Sequence, residues 1–155
     1  MSLPVSYTLL LAAVVAGALA LAGCGESKGA DRLSKEDYVK RADAVCAAFD
    51  HRLEELSEPK TIEQVVTLAD QAKPVAEDGL AELRKLRPPT ELQEDVDAWL
   101  ALNQENADAI DDLREAAAAS DEAGAQAVSK RAVENERKAD ALAKRIGLEE
   151  CAAPG

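Results

Sequence analysis

Three cysteines, Cys24, Cys46 and Cys151, a single histidine, His51, and three asparagines, Asn103, Asn106 and Asn135, are the residues whose types and spacing could do chemistry in this chain. A thiol can form a disulfide, ligate a metal, or act as a nucleophile once a neighbouring base or charge lowers its pKa. His51 is the only imidazole available as that base, and it falls off the helical stripe that carries Cys46, so a catalytic thiol is not expected. His51 and Glu54, three residues apart, make at most half of a metal site, and without a Glu-x-x-His pair a bundle metal centre lacks ligands. An exposed His–Glu contact is the expected role. The acidic groups at Glu54-Glu55, Glu94-Asp95, Asp108 with Asp111-Asp112, and Asp121-Glu122 alternate with Lys and Arg as solvated helix faces do, and none has calcium-loop spacing. No nucleophile elbow, Walker loop or dinucleotide fingerprint is present. The expectation is no catalytic residue, no cofactor and no metal, hence no enzyme.

All three asparagines fall on the apolar stripes described below, Asn103 and Asn106 nearly one turn apart. A buried amide without partners costs about 1–3 kcal/mol, so each must bond to something. One reading has them bond across two helices and fix their register. A second has them line a polar patch that orients a small ligand beside Trp99 and Phe49. A third is that one of them faces solvent.

Cys24 belongs to a different piece of chemistry. Leu9 to Ala22 is an unbroken apolar run of about fourteen residues ending in Leu21-Ala22-Gly23-Cys24. That length suits a signal-peptide core, whereas a membrane-spanning helix needs about twenty apolar residues. The pattern resembles the lipobox of bacterial lipoproteins. The resemblance implies diacylglycerol on the Cys24 thiol, cleavage before it, and a domain held at the extracytoplasmic face of the cell membrane. Two acyl chains suffice for stable anchoring. Met1 to Thr8 lacks the usual Lys or Arg, and an uncleaved anchor helix from Leu3 to Leu21 is the alternative. Residues 1–23 are thus a lipoprotein signal peptide, 24–32 a flexible tether, and 33–155 the folded domain.

These residues must be positioned by helices. The chain has 30 acidic and 18 basic side chains, a net charge of −12, and only 3% aromatic residues among 47% hydrophobic ones, with alanine about a fifth of the total. Alanine favours helix over strand, and the negative charge argues against a nucleic-acid binder. Val39, Ala42, Cys46, Phe49, Leu53 and Leu56 alternate at three and four residues, predicting a helix from Ser34 to about Ser57. Thr61 opens a second helix along Ile62, Val65, Ala69, Ala72, Ala76, Gly79, Leu83 and Leu86, with Pro74 expected to bend it. After Pro88-Pro89, Thr90 to Gln93 reads as a capping box for a third helix along Leu92, Val96, Trp99, Asn103, Asn106, Ile110, Leu113 and Ala117. Ser120 or Asp121 caps a fourth along Val128, Ala132, Asn135, Ala139, Leu142 and Ile146. Gly147 should end it, with Leu148 folding back. The fold class predicted is all-α, an up-down-up-down four-helix bundle preceded by a lipoprotein signal peptide.

Cys46 lies on the first stripe and Cys151 just past the last helix. In an exported protein such thiols most economically pair, and closing so long a loop stabilises by ~4–5 kcal/mol in the chain-entropy treatment. The pairing requires the segment after Gly147 to turn back along the bundle; two free thiols are the alternative.

In the order of its parts the chain resembles small secreted or lipid-anchored helical proteins abundant in actinobacteria. Those parts are the lipobox, Tyr38 to Cys46 opening the first helix, Leu86-Arg87-Pro88-Pro89, Trp99-Leu100, and Ile146-Gly147-Leu148-Glu149-Glu150-Cys151 at the end. The resemblance implies the helical domain and the disulfide and brings no catalytic residues. The function expected is a lipid-anchored, non-enzymatic interaction or scaffolding module of the cell envelope, with an unknown envelope protein as partner and no nucleic acid. The alternative is a bundle that binds a small molecule near Trp99, Asn103 and Asn106, with Asn135 and Phe49 alongside.

Overall fold

In the computed structural model, which describes residues 31–152, four caps set where the helices begin and end. Segment 1–23, expected to be a signal peptide, and Cys24, the expected lipidation residue, lie outside the described residues. The Ser34 hydroxyl accepts the Asp37 N–H (3.1 Å) and opens α1, Lys35–Glu54. Thr61 accepts the Gln64 N–H (3.4 Å) and opens α2, Ile62–Lys85. Asp121 accepts the Gly124 N–H (2.9 Å) and opens α4, Glu122–Ile146. Gly147 ends α4 at φ 101°, a left-handed conformation that suits glycine, and the N–H groups of Gly147 and Leu148 both reach the Ala143 carbonyl. The fold is all-α, with no strand among the described residues. No helix among them is long and apolar enough to cross a membrane.

The start of α3, Gln93–Ala118, differs from expectation. Thr90–Leu92 forms a 3-10 turn closed by the Leu92 N–H on the Pro89 carbonyl, and no side chain caps the helix. Gln93 cannot complete a capping box, because its amide donates to Asp97 (2.9 Å) and accepts from Arg32 (2.7 Å). The buried Pro88-Pro89 pair feeds the chain directly into the tight turn. α2 runs unbroken through Pro74, since the proline and the Asp70 carbonyl it leaves unbonded both lie on exposed residues.

Polar pairs across the seams fix direction. Arg52 meets Asp78 while Leu33 meets Arg87 between α1 and α2. Arg114 meets Asp70, Lys73 meets Asp111 and Arg84 meets Gln104 between α2 and α3. Arg131 meets Asp112, Asn135 meets Glu105 and Arg145 meets Asp95 between α3 and α4. In every set one number rises as the other falls, so consecutive helices run antiparallel. α3 is flanked closely by α2 and α4, whereas α1 and α4 barely touch along their length.

The largest buried side chains gather at one end: Tyr38 from α1, Val96 and Trp99 from α3, Ile146 from α4, and Leu148 folded over them. Tyr38 is wholly buried although the pattern singled out Val39, because α1 centres its inner face on Ala42, one turn after Tyr38. In α2, Val75 and Leu80 are buried off the expected stripe and Ile62 on it is 38% exposed. With Arg52 level with Asp78, α1 stops short of the first half of α2, so nothing from α1 covers Ile62.

Cys46 and Cys151 are joined, 105 residues apart in sequence with Cα atoms 5.2 Å apart. The chain after Gly147 does turn back, into a 3-10 turn at Glu150–Ala152. One side chain holds that turn. The Asp43 carboxylate of α1 accepts the N–H groups of Glu149 (3.1 Å), Glu150 (3.1 Å) and Cys151 (3.4 Å).

Candidate functional site

Just beyond the disulfide the four helices draw apart around a cavity of about 280 Å³. α1 contributes Phe49 and Leu53, and α2 contributes Ala76, Gly79, Leu80 and Leu83. α3 contributes Trp99, Asn103, Asn106 and Ile110, α4 contributes Ala139, and the Cys46–Cys151 bridge closes one side. The sequence explains the opening. Where leucine and valine line α3 the bundle is tight, but the stripe then passes to two asparagines facing Gly79, Ala76 and Ala139, which fill little space. Gly79 packs against the Phe49 ring, and a Cβ there would meet its Cδ2 at 3.4 Å, an ordinary contact.

Four of the five residues named from sequence as ligand-binding candidates meet on this wall. Trp99 is only 2% exposed, and its indole N–H donates to no described residue. Phe49 lines the cavity half-buried. Asn103 donates its Nδ2 to the Trp99 carbonyl one turn back (2.8 Å), leaving its carbonyl oxygen unused. Asn106 makes no hydrogen bond, and its Oδ1 is wholly buried. The fifth, Asn135, lies elsewhere: it is 6% exposed and donates to the Glu105 carboxylate across the α3–α4 seam (2.8 Å). The asparagines therefore do not bond one another. Only Asn135 bridges two helices, because Asn103 is satisfied locally and Asn106 not at all.

The mouth is acidic, a feature the sequence pattern left unmarked. Asp50 from α1, Glu136 and Asp140 from α4, and Glu150 from the C-terminal turn border the cavity along the loose α1–α4 seam. No Lys, Arg or His is among the lining residues. None of the four carboxylates pairs with a basic side chain among the described residues. Elsewhere Asp70, Asp78, Asp95, Asp111 and Asp112 each meet an Arg or Lys. Burial, and then the charge of Glu54, push the Asp50 carboxyl above its usual value. The available signal was positional: Asp50 follows Phe49 and Asp140 follows Ala139, at the borders of the stripes.

The lining offers apolar surface, amide groups and carboxylates. The two thiols are spent in the disulfide, and His51 is exposed, 3.7 Å from Glu55 instead of the expected Glu54. Among the described residues no group of three or more His, Cys, Asp or Glu side chains is arranged to hold a metal ion. Glu136 and Glu150 are exposed and Asp50 and Asp140 only partly covered, so they are solvated counter-charges and not buried acids and bases. Compared with protein-family models, with curated proteins and with solved structures, the chain matches none.

Proposed function

We propose that the domain is a non-enzymatic, small-molecule-binding helical bundle tethered to the extracytoplasmic face of the cell membrane by diacylglycerol on Cys24. The observation that carries the binding half is the cavity beside Trp99, which gathers two aromatic rings, aliphatic walls and amide groups with unused hydrogen-bonding capacity. Natural ligand sites have this make-up: mostly apolar walls with a few polar groups that orient the occupant. A cavity of about 150 Å³ accepts benzene, so this one takes a molecule on the order of ten non-hydrogen atoms. The tether half rests on the Leu21-Ala22-Gly23-Cys24 motif, and a disulfide within the domain agrees with an oxidising compartment.

Trp99 is the chain's single tryptophan, so its fluorescence reports the cavity without labelling. Titration of the exported protein with 2-phenylethanol should give a saturable change in emission, lost in Ala76→Leu, which places a larger side chain in the cavity lining from the partly exposed α2 position. A non-saturable response, or one the substitution leaves intact, refutes the binding site. Mass spectrometry should find the acylated N-terminus at Cys24, with processing blocked by globomycin; an unprocessed chain refutes the tether. A scaffolding module is the second reading, favoured by Val133, a large apolar side chain that stands 64% exposed on α4.

A further inference from the structure

Resting on that binding reading, we infer that the cavity takes an organic cation, an amine or ammonium group carried on a compact apolar body, with the charge at the mouth and the body against Trp99. Four carboxylates without basic partners among the described residues border one opening whose lining holds no Lys, Arg or His. Their summed field favours a positive occupant and repels a carboxylate or phosphate. A metal ion is the wrong cation, because the acidic groups do not converge as ligands.

The interior selects for an organic body. Phe49 and Leu53, both partly exposed, offer apolar surface backed by the nearly covered Leu80, Leu83 and Trp99, and the Phe49 ring face attracts a cation placed over it. The α3–α4 register, held by Asn135 on Glu105 and Arg145 on Asp95, sets Asn103 level with the turn between Glu136 and Asp140. An ammonium group there donates to the unused Asn103 carbonyl oxygen while facing both carboxylates. An anion in that position meets only acceptors and like charges.

The test compares 2-phenylethylamine, 2-phenylethanol and phenylacetate, three molecules of similar size and different charge, by Trp99 fluorescence on the exported, disulfide-intact protein. The amine should bind on the order of tenfold tighter than the alcohol, and the acid should not saturate. The amine's advantage should shrink as salt is raised and collapse in Glu136→Gln/Asp140→Asn, both substitutions lying on partly or fully exposed positions. Ala107→Leu and, independently, Ala76→Leu should abolish amine binding; if both leave it intact, the amine is merely gathered by net charge and the inference fails. Equal affinity for amine and alcohol overturns the charge preference and leaves the cavity as a neutral-ligand site. Tighter binding of phenylacetate also overturns it. Failure of all three up to their solubility limits overturns both the inference and the binding reading on which it rests.

Discussion

The two ends of the bundle are built from the same four helices and behave as different materials. At the end where α1 begins and α4 finishes, Tyr38, Val96, Ile146 and Leu148 interlock, and the Asp43 cap and the disulfide hold the C-terminal turn against α1. Past the disulfide, α3 turns from leucine and valine to Asn103 and Asn106, α1 reaches only Glu54, and a cavity opens. Side-chain volume decides the difference, since a seam of alanine, glycine and asparagine buries little apolar area per residue. Buried side-chain volume is thus concentrated at one end, and the cavity lies toward the other.

The sharpest way to break this division is to reduce the disulfide. Replacing Cys46 and Cys151 with alanine should cost up to ~4–5 kcal/mol, the chain-entropy value for a loop of this length, measured by urea unfolding with and without reductant. The loss should be greatest for the C-terminal turn, which would show faster amide exchange at Leu148 and Ala152. A loss under about 1 kcal/mol would mean that packing alone holds the tail, and the contrast between ends would need another cause.

Next in size are paired truncations. Ile146→Ala at the closed end should cost about 2–5 kcal/mol, because the side chain is fully buried among close neighbours. Leu53→Ala at the cavity should cost less than about 1.5 kcal/mol, since that side chain is already partly exposed and has empty space on one side. Equal costs would remove the distinction. Asp43→Ala belongs between them, at about 1–3 kcal/mol, for three backbone N–H groups that lose a common acceptor.

Tyr38→Phe probes a defect within the closed end. The Tyr38 hydroxyl is buried without a hydrogen-bond partner, and burial, with the Asp97 charge beside it, pushes its pKa up to about 12. Removing the hydroxyl and keeping the ring should leave stability unchanged or raise it by up to about 1 kcal/mol. A clear loss in thermal unfolding would show that the hydroxyl has a partner in solution.

Much of this arrangement could be read from residue order, and the parts that could not share a cause. Ser34, Thr61, Asp121 and Gly147 announced the helix ends because capping is local chemistry. The stripes of α3 and α4 marked most of their inner faces, because the two helices pack closely on each other, but missed the buried Ala107, Ala109 and Ala143. Tyr38, Val75 and Leu80 escaped, since which flank of a stripe is covered depends on where the neighbouring helix ends. Gln93 formed no capping box because Arg32, 61 residues away in sequence, engages its amide. The acidic mouth escaped for the same reason: Asp50, Asp140 and Glu150 become one feature only when the disulfide and antiparallel packing bring them together.

The smallest expected effect comes from Asp50, and it sharpens the comparison at the mouth itself. Facing Asp50 across the opening are Glu136 and Asp140 of α4 and Glu150 of the C-terminal turn. Glu54 lies on its own helix, and α2 presents only Ala76, Gly79, Leu80 and Leu83 to the cavity. Its folded pKa is raised above the usual carboxyl value, so the folded chain holds this proton more tightly than the unfolded one. Stability from this group is therefore greatest below the unfolded value and falls as pH rises through the raised folded value, then stays level. Asp50→Asn should flatten that part of the melting-temperature profile and be slightly stabilising at neutral pH. An amine at the mouth reverses the preference by favouring the carboxylate, so its affinity should rise with pH across the same window, and the substitution should blunt that rise. A profile identical in the two proteins would place Asp50 in ordinary solvent and shift the weight of charge selection onto Glu136 and Asp140.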